Sequence, residues 1–324
     1  MKTYKELYTT IEQHIQSLSY NNEPKELYEP ISYMLSLGGK RLRPVLLLMA
    51  TDLFGADIKK AIQAALAVEV FHNFTLVHDD IMDNANIRRG MPTVHKRWNQ
   101  TVAILSGDLM MIKAIDLLCE TETSALKKLI AIFNKAGAEV CEGQQIDMNF
   151  ESRDDVSVKE YIDMITLKTA VLLGASLQLG AVIADANKED EKHIYEFGKN
   201  IGIAFQIQDD ILDSFGEGDK VGKKIGGDIA TNKKTLLYLK ALELSNESTR
   251  STLENLYQFK HENTDTKILS VISIFKEVNV LDEAEKLKQY YLAEAFSHLN
   301  QIKVEANKKE ILQNTALDLM QRMS

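Results

Sequence analysis

The 324-residue sequence predicts an all-α protein, a single domain of long helices, on three observations. The first is proline. Its four copies stand at Pro24, Pro30, Pro44 and Pro92, and residues 93–324 have none. Proline breaks helices and marks turns, so its absence predicts long uninterrupted ones. The second is periodicity. Val158 to Ile183 and Lys188 to Phe215 place apolar residues at three- and four-residue spacing, and β-type alternation is scarce. The third is continuity, since no low-complexity linker divides the chain and one domain over residues 1–324 is expected.

Taken in order, Gly38-Gly39 can close the helix before them and Pro44 falls near the start of the next. Asp57 can cap a helix running to about Asn84, with Ala61 to Phe71 as its buried part. Arg88-Arg89-Gly90-Met91-Pro92 reads as the loop that follows. Five of the sixteen glycines lie between Gly216 and Gly227, which marks that stretch as a loop with the freedom of a lid.

Bulk properties remove several functional classes. A net charge of -9 argues against nucleic acid as a partner. Cys119 and Cys141 have neither paired nor metal-ligand spacing, which suits a reduced, cytoplasmic setting. The N-terminus has no signal-peptide pattern. No run reads as the roughly 20 apolar residues that span a membrane.

Asp79-Asp80-Ile81-Met82-Asp83 and Asp209-Asp210-Ile211-Leu212-Asp213 repeat one acidic pattern. Residues four apart on a helix are separated by about 40° around the axis and ~6 Å along it. Asp79 and Asp83 therefore share a face, as do Asp209 and Asp213. Two such carboxylates repel each other, and both clusters follow apolar stretches where uncompensated charge is costly. A hard divalent cation resolves both problems, and Mg²⁺ favours a few carboxylates completed by phosphate and water.

The basic residues fit an anion. Gly39-Lys40-Arg41-Leu42-Arg43-Pro44 opens an apolar segment. Cations near a helix N-terminus are electrostatically misplaced unless an anion lies outside, although a surface basic cluster would look the same. Arg88-Arg89 could pair with the aspartates or grip a metal-bound diphosphate. His72, seven residues before Asp79, reads on spacing alone as a core histidine. Lys168-Thr169 interrupts an apolar helix, where snorkelling is the ordinary explanation. Lys220, Lys223, Lys224, Lys233 and Lys234 punctuate the glycine-rich segment.

This ordered set resembles the trans-isoprenyl diphosphate synthases. The matching residues are Gly39-Lys40-Arg41-x-Arg43-Pro44, Leu76-Val77-His78-Asp79-Asp80-x-x-Asp83, Arg88-Arg89-Gly90-x-Pro92-Thr93, Gly107-Asp108, Gly143-Gln144-x-x-Asp147, Lys168-Thr169 and Phe205-Gln206-x-x-Asp209-Asp210-x-x-Asp213. The resemblance spans about Gly38 to Thr235 and implies a helical bundle around a central cleft. It further implies that Asp79, Asp83, Asp209 and Asp213 serve Mg²⁺, about three ions per site, holding an allylic diphosphate. Arg88, Lys168, Thr169, Gln206, Lys233 and one of Lys223 and Lys224, with Lys223 the first choice, would complete that site. Lys40, Arg43, His72 and Arg89 would hold isopentenyl diphosphate without metal. A homodimer is implied as well.

The implied chemistry is ionisation of the allylic carbon–oxygen bond, attack by the isopentenyl double bond, and loss of a proton, in a cleft that excludes water. Asp79, Asp83, Lys168 and Asp209 are the residues expected to carry it. In such enzymes residues below the first cluster stop the growing chain. Phe74 and Thr75, five and four before Asp79, stand there, and the aromatic at Phe74 points to geranylgeranyl diphosphate, with farnesyl diphosphate as the alternative. Ideal geometry puts Thr75 below Asp79 and Phe74 about 140° away, on the flank of such a cavity. A class I terpene cyclase lacks the basic motif, and a non-catalytic synthase subunit has degraded metal motifs. Neither description fits this chain.

Overall fold

A computed structural model describes residues 1–216, 225–258 and 263–321. Its helices are α1 (Tyr4–Ser17), α2 (Lys25–Ser36), α3 (Leu42–Leu53), α4 (Ile62–Met82), α5 (Val94–Arg97), α6 (Gln100–Cys119), α7 (Leu126–Glu151) and α8 (Val158–Ile165). There follow α9 (Val171–Ile183), α10 (Lys188–Phe215), α11 (Gly227–Ala230), α12 (Leu236–Leu244), α13 (Glu247–Gln258), α14 (Thr264–Glu277), α15 (Val280–Gln301) and α16 (Ala306–Gln321). The all-α expectation holds, and the proline-free region carries the longest helices, α10 at 28 residues and α7 at 26.

The punctuation is close to that expected. Asp57 caps a short 3₁₀ turn, Ile58–Ala61, that leads into α4. Side chains of Thr3 and Ser157 form capping boxes with Glu6 and Glu160, satisfying donors that α1 and α8 would otherwise leave open. One reading is corrected. Residues 87–92 are a small hairpin rather than an irregular loop, with β1 (Ile87–Arg88) antiparallel to β2 (Met91–Pro92). Arg89 and Gly90 turn it at φ 54° and 77°, the positive values that suit a tight hairpin turn.

Two compact units are interleaved along the chain. The first comprises Met1–Asn134, Ala175–Tyr195 and Lys303–Ile311. Its centre is α4, which packs chiefly on α6 and also on α1, α2 and α3. Ala64 through Phe71 of α4 are buried without interruption, the signature of a helix enclosed on every side. Each Val or Leu so enclosed stabilises the fold by about 1.5–3 kcal/mol relative to an exposed one. Close approach of α9 to α3 requires Gly180, where an added Cβ would stand 2.2 Å from the Leu47 carbonyl oxygen.

The second unit comprises Lys135–Gly174, Glu196–Ile302 and Leu312–Ser324. Its core gathers Tyr161 and Ile165 of α8, Ile207 and Ile211 of α10, Leu236 to Leu239 of α12 and Val271 and Phe275 of α14. Helix α12 is buried from Leu236 through Leu239 and again at Ala241 and Leu242.

The helical stretch Val158–Ile183 is long and apolar enough to cross a membrane by length and composition, a property the sequence reading missed because Lys168-Thr169 divides it. Seventy-two per cent of its apolar window is buried inside the protein, as in a core helix.

Candidate active site

The first acidic cluster occupies the last turns of α4. A residue one position on from Asp79 is rotated about 100°, so Asp80 points elsewhere than Asp79 and Asp83. Asp80 is 1% exposed and takes Arg88 as its partner, with Nη2 at 2.6 Å and Nε at 3.1 Å. Burial raises the Asp80 carboxyl above its ordinary range, and the Arg88 hydrogen bonds oppose that. Asp79 is half-buried and Asp83, the residue that ends α4, is exposed. The three aspartates thus divide into an inner one that anchors Arg88 and two outer ones a turn apart.

The hairpin separates the two arginines, which spacing could not do. Arg88 turns to Asp80, whereas Nη1 of Arg89 donates to the Gly38 carbonyl. A Cβ at Gly39 would lie 2.8 Å from the Arg89 Cζ, so the glycine gives the guanidinium its place. Arg88 keeps 31% of its side chain exposed while bound to Asp80, so the salt bridge and an outward-facing role coexist.

The basic motif splits in the same way. Arg41 is internal, donating from Nε to Glu12 at 2.9 Å, from Nη1 to Glu69 at 2.7 Å and from Nη2 to the Leu35 carbonyl at 2.7 Å. Its charge is answered within the protein. Arg43 is different. Its Nη1 lies 3.0 Å from His72 Nε2, while its Nε is buried with no hydrogen-bond partner. A guanidinium only donates, so Nε2 of His72 accepts and the imidazole proton sits on Nδ1. Burial, then the cations of Arg43, Arg89, Arg88 and Arg41, hold the His72 pKa well below its usual value. Burial brings Arg43 itself down to about 10, helped by repulsion from Arg89. A crowded set of cations with a neutral histidine and an unsatisfied donor calls for an anion. The structure therefore gathers Arg43, His72 and Arg89, and places exposed Lys40 beside Gly39.

The other candidates lie in the second unit. Asp209 and Asp213 of α10 are half-buried and Asp210 is 3% exposed. Oδ2 of Asp210 accepts from the Tyr161 hydroxyl at 2.5 Å and from the Leu236 N–H at 3.2 Å, and Oδ1 accepts from Gln206 Nε2 at 3.2 Å. Burial and the nearby Asp228 push the Asp210 carboxyl up to about 8, against the pull of these bonds. Oδ2 of Asp213 accepts from the Asp228 N–H at 3.1 Å, at the start of α11.

Lys168 and Thr169 sit in a π-turn, Thr166–Ala170, set between α8 and α9. Such turns interrupt the regular helical ladder and recur at functional sites. The Lys168 ammonium does not snorkel to the surface. It donates to Asp147 Oδ2 at 2.5 Å, a residue of the Gly143-Gln144-x-x-Asp147 motif on α7. Gly143 fits against the turn, since a Cβ there would lie 2.3 Å from the Lys168 backbone nitrogen. A Cβ at Gly202 of α10 would likewise lie 2.6 Å from the Ala170 Cα. The Thr169 hydroxyl reaches Gln206 Oε1 at 3.3 Å.

Of the loop lysines, Lys223 and its alternative Lys224 lie outside the described residues. Lys233 is exposed, and its N–H donates to the Asp228 carbonyl at 2.9 Å. On α4 the Phe74 ring packs against Phe71, with centroids 5.6 Å apart, and against His78 at 4.9 Å. Thr75 turns its hydroxyl to the His72 carbonyl at 2.8 Å. Gly107 faces the His78 imidazole, which bonds the Ile104 carbonyl at 3.1 Å. Sequence reasoning missed Tyr161, Asp147 as the Lys168 partner, and Glu69 as the sink for Arg41.

The donor sets suit Mg²⁺. Among the described residues no three carboxylate, imidazole or thiol groups gather into a protein-only metal cage. Two outer carboxylates a turn apart, with the inner one committed elsewhere, match a cation that keeps water and takes phosphate oxygens.

Comparison with known proteins agrees. The polyprenyl synthetase profile matches residues 24–275. The geranylgeranyl diphosphate synthase of Sulfolobus acidocaldarius is 41% identical over 303 residues, covering 92% of this chain and 91% of that one. The enzyme of the same name from Saccharolobus solfataricus is 46% identical over 233 residues, 71% of this chain and 70% of that one. A crystal structure of geranylgeranyl pyrophosphate synthase superposes with a TM-score of 0.95 at 43% identity, covering 100% of both chains. Profile, relatives and fold lead to one conclusion: the chain belongs to the polyprenyl synthetase family, the trans-isoprenyl diphosphate synthases.

Proposed function

We propose that the chain, acting as one synthase domain, condenses isopentenyl diphosphate with an allylic diphosphate and releases geranylgeranyl diphosphate. The carrying observation is the division of labour in α4 and its hairpin. Asp79 and Asp83 stand a turn apart while Asp80 is committed to Arg88, which supports a metal-held diphosphate at the outer pair, and the pairing of Arg43 with neutral His72 near Arg89 supports a metal-free anion pocket. Asp79 and Asp83 of the first cluster, and Asp209 and Asp213 of the second, are the residues that would hold Mg²⁺. Held by these carboxylates, Mg²⁺ would supply the charge neutralisation that makes the allylic diphosphate a better leaving group. Lys168, Thr169, Gln206, Arg88 and Lys233 orient that diphosphate. Lys40, Arg43, His72 and Arg89 hold isopentenyl diphosphate so that its double bond meets the allylic carbon.

Incubating the purified chain with Mg²⁺, isopentenyl diphosphate and farnesyl diphosphate is expected to release pyrophosphate and yield a C20 diphosphate by chromatography. Absence of both products would remove the proposal. Product length is assigned to Phe74, whose ring stands between Phe71 and His78 on α4. Phe74→Ala is expected to shift the product to C25 or beyond, and an unchanged C20 product would move the cavity floor elsewhere, to Thr75 first.

We further propose a homodimer in a cytoplasmic setting. On α6, Leu105 and Ile112 stand seven residues apart on one face with 53% and 55% of their surface exposed, and Ile104 is 41% exposed beside them. Large apolar side chains aligned in this way belong against a partner. A Leu105→Glu/Ile112→Glu chain is expected to sediment as a monomer where the wild type sediments as a dimer.

A further inference from the structure

Tyr161 lies outside every motif that carries the family resemblance, yet it is 4% exposed and its hydroxyl donates to Asp210 of the second acidic cluster at 2.5 Å. Asp210 is the hub of a network. It takes a hydrogen from Tyr161 on α8, one from Gln206 a turn earlier on its own helix, and one from the Leu236 N–H at the start of α12. Through Gln206 the network reaches the Thr169 hydroxyl in the π-turn, at 3.3 Å. Through Leu236 it fixes the end of the segment that carries Lys233, whose other end is held by Asp213 at the Asp228 N–H.

We propose that Tyr161 and Asp210 together are positioning residues for the allylic-diphosphate half of the site, setting Gln206, Thr169 and the Lys233 segment without touching substrate. The inference rests on the function proposed above. Oδ1 of Asp210 accepts from the Gln206 amide, which holds Gln206 with its N–H₂ inward and its carbonyl towards Thr169. The Tyr161 hydroxyl keeps that carboxylate in place. Three elements that follow one another at long range in sequence are thereby tied to one buried group, and polar networks of this kind are rigid when every member is satisfied.

The test is Tyr161→Phe, which removes one hydroxyl and keeps the ring. Loss of one buried hydrogen bond corresponds to a change of up to about tenfold in an equilibrium. The variant is expected to raise the KM for the allylic diphosphate about fivefold to tenfold while the KM for isopentenyl diphosphate stays within about twofold. Asp210→Asn, which allows the Gln206 amide to reverse, should move the same parameter further. As a second measurement, calorimetric titration with pyrophosphate and Mg²⁺ is expected to show the same weakening without turnover. A Tyr161→Phe chain with wild-type affinity for pyrophosphate and for the allylic substrate would overturn the positioning role. So would an equal loss for both substrates accompanied by a fall in Tm, which marks plain packing. An inactive wild type would defeat the proposed reaction alone, because the pyrophosphate titration still decides the role of Tyr161.

Discussion

Asp79→Asn is expected to lower kcat by about 10³-fold while leaving the fold intact. Asparagine has the shape of aspartate but neither its charge nor its affinity for a hard cation, so the loss falls on charge stabilisation as the diphosphate leaves. About 4 kcal/mol of lost stabilisation gives that factor. The fold should not suffer. Asp79 is half-buried at the end of α4 one turn from Asp83, and removing a like charge at that spacing is neutral to slightly stabilising, by about 0.2–0.5 kcal/mol. The neighbouring residue supplies the contrast. Asp80 is 1% exposed and holds Arg88 at 2.6 Å, so Asp80→Asn should destabilise the protein by about 1–3 kcal/mol through a poorly satisfied Arg88. Steady-state kinetics and thermal melts of both variants check the division. It fails if Asp79→Asn keeps kcat within tenfold, or if the two variants lose stability alike.

Much of this division was legible in the sequence, and the part that was not has a physical reason. The absence of proline after Pro92 and the spacing of apolar residues gave α10 its full extent, because both depend on neighbours along the chain. The pairing of Asp79 with Asp83 followed from helical geometry alone. Arg41 and Arg43 could not be told apart that way, because their fates depend on Glu12, Glu69 and His72, which lie 28 to 29 residues away. Spacing could not separate Arg88 from Arg89, which the resemblance assigns to different sites, because they stand in a hairpin whose strands of two residues are too short to alternate visibly. The π-turn was hidden for another reason. One added residue in the hydrogen-bond ladder leaves apolar spacing almost unchanged, so Val158 to Ile183 reads as one regular helix. Lys168 then looked misplaced, whereas its charge is answered by Asp147, 21 residues earlier on α7.

That π-turn is the basis of the second large effect, at Gly143. Helix propensity predicts that Gly143→Ala in the middle of α7 should stabilise the protein by about 0.5–1 kcal/mol. The structure predicts the opposite sign. A Cβ at this position would stand 2.3 Å from the Lys168 backbone nitrogen, 2.7 Å from its Cα and 2.8 Å from the Leu167 carbonyl carbon. No flexible side chain can give way there, so either α7 or the π-turn must move. Overpacking of this kind costs about 1–3 kcal/mol, which outweighs the gain in propensity. On the other side the backbone of Gly202 packs so close that a Cβ there would lie 2.6 Å from Ala170 Cα, so the turn has little room to retreat towards α10. Displacement would carry Lys168 and Thr169 with it. A misplacement of about 1 Å in orienting groups can cost 10²-fold in rate. Gly143→Ala is therefore expected to lower Tm by several degrees and kcat by about 10²-fold, measured below the melting transition. A variant that melts higher than the wild type with unchanged kcat would mean that propensity governs the position and that the π-turn is free to shift without harm to the site.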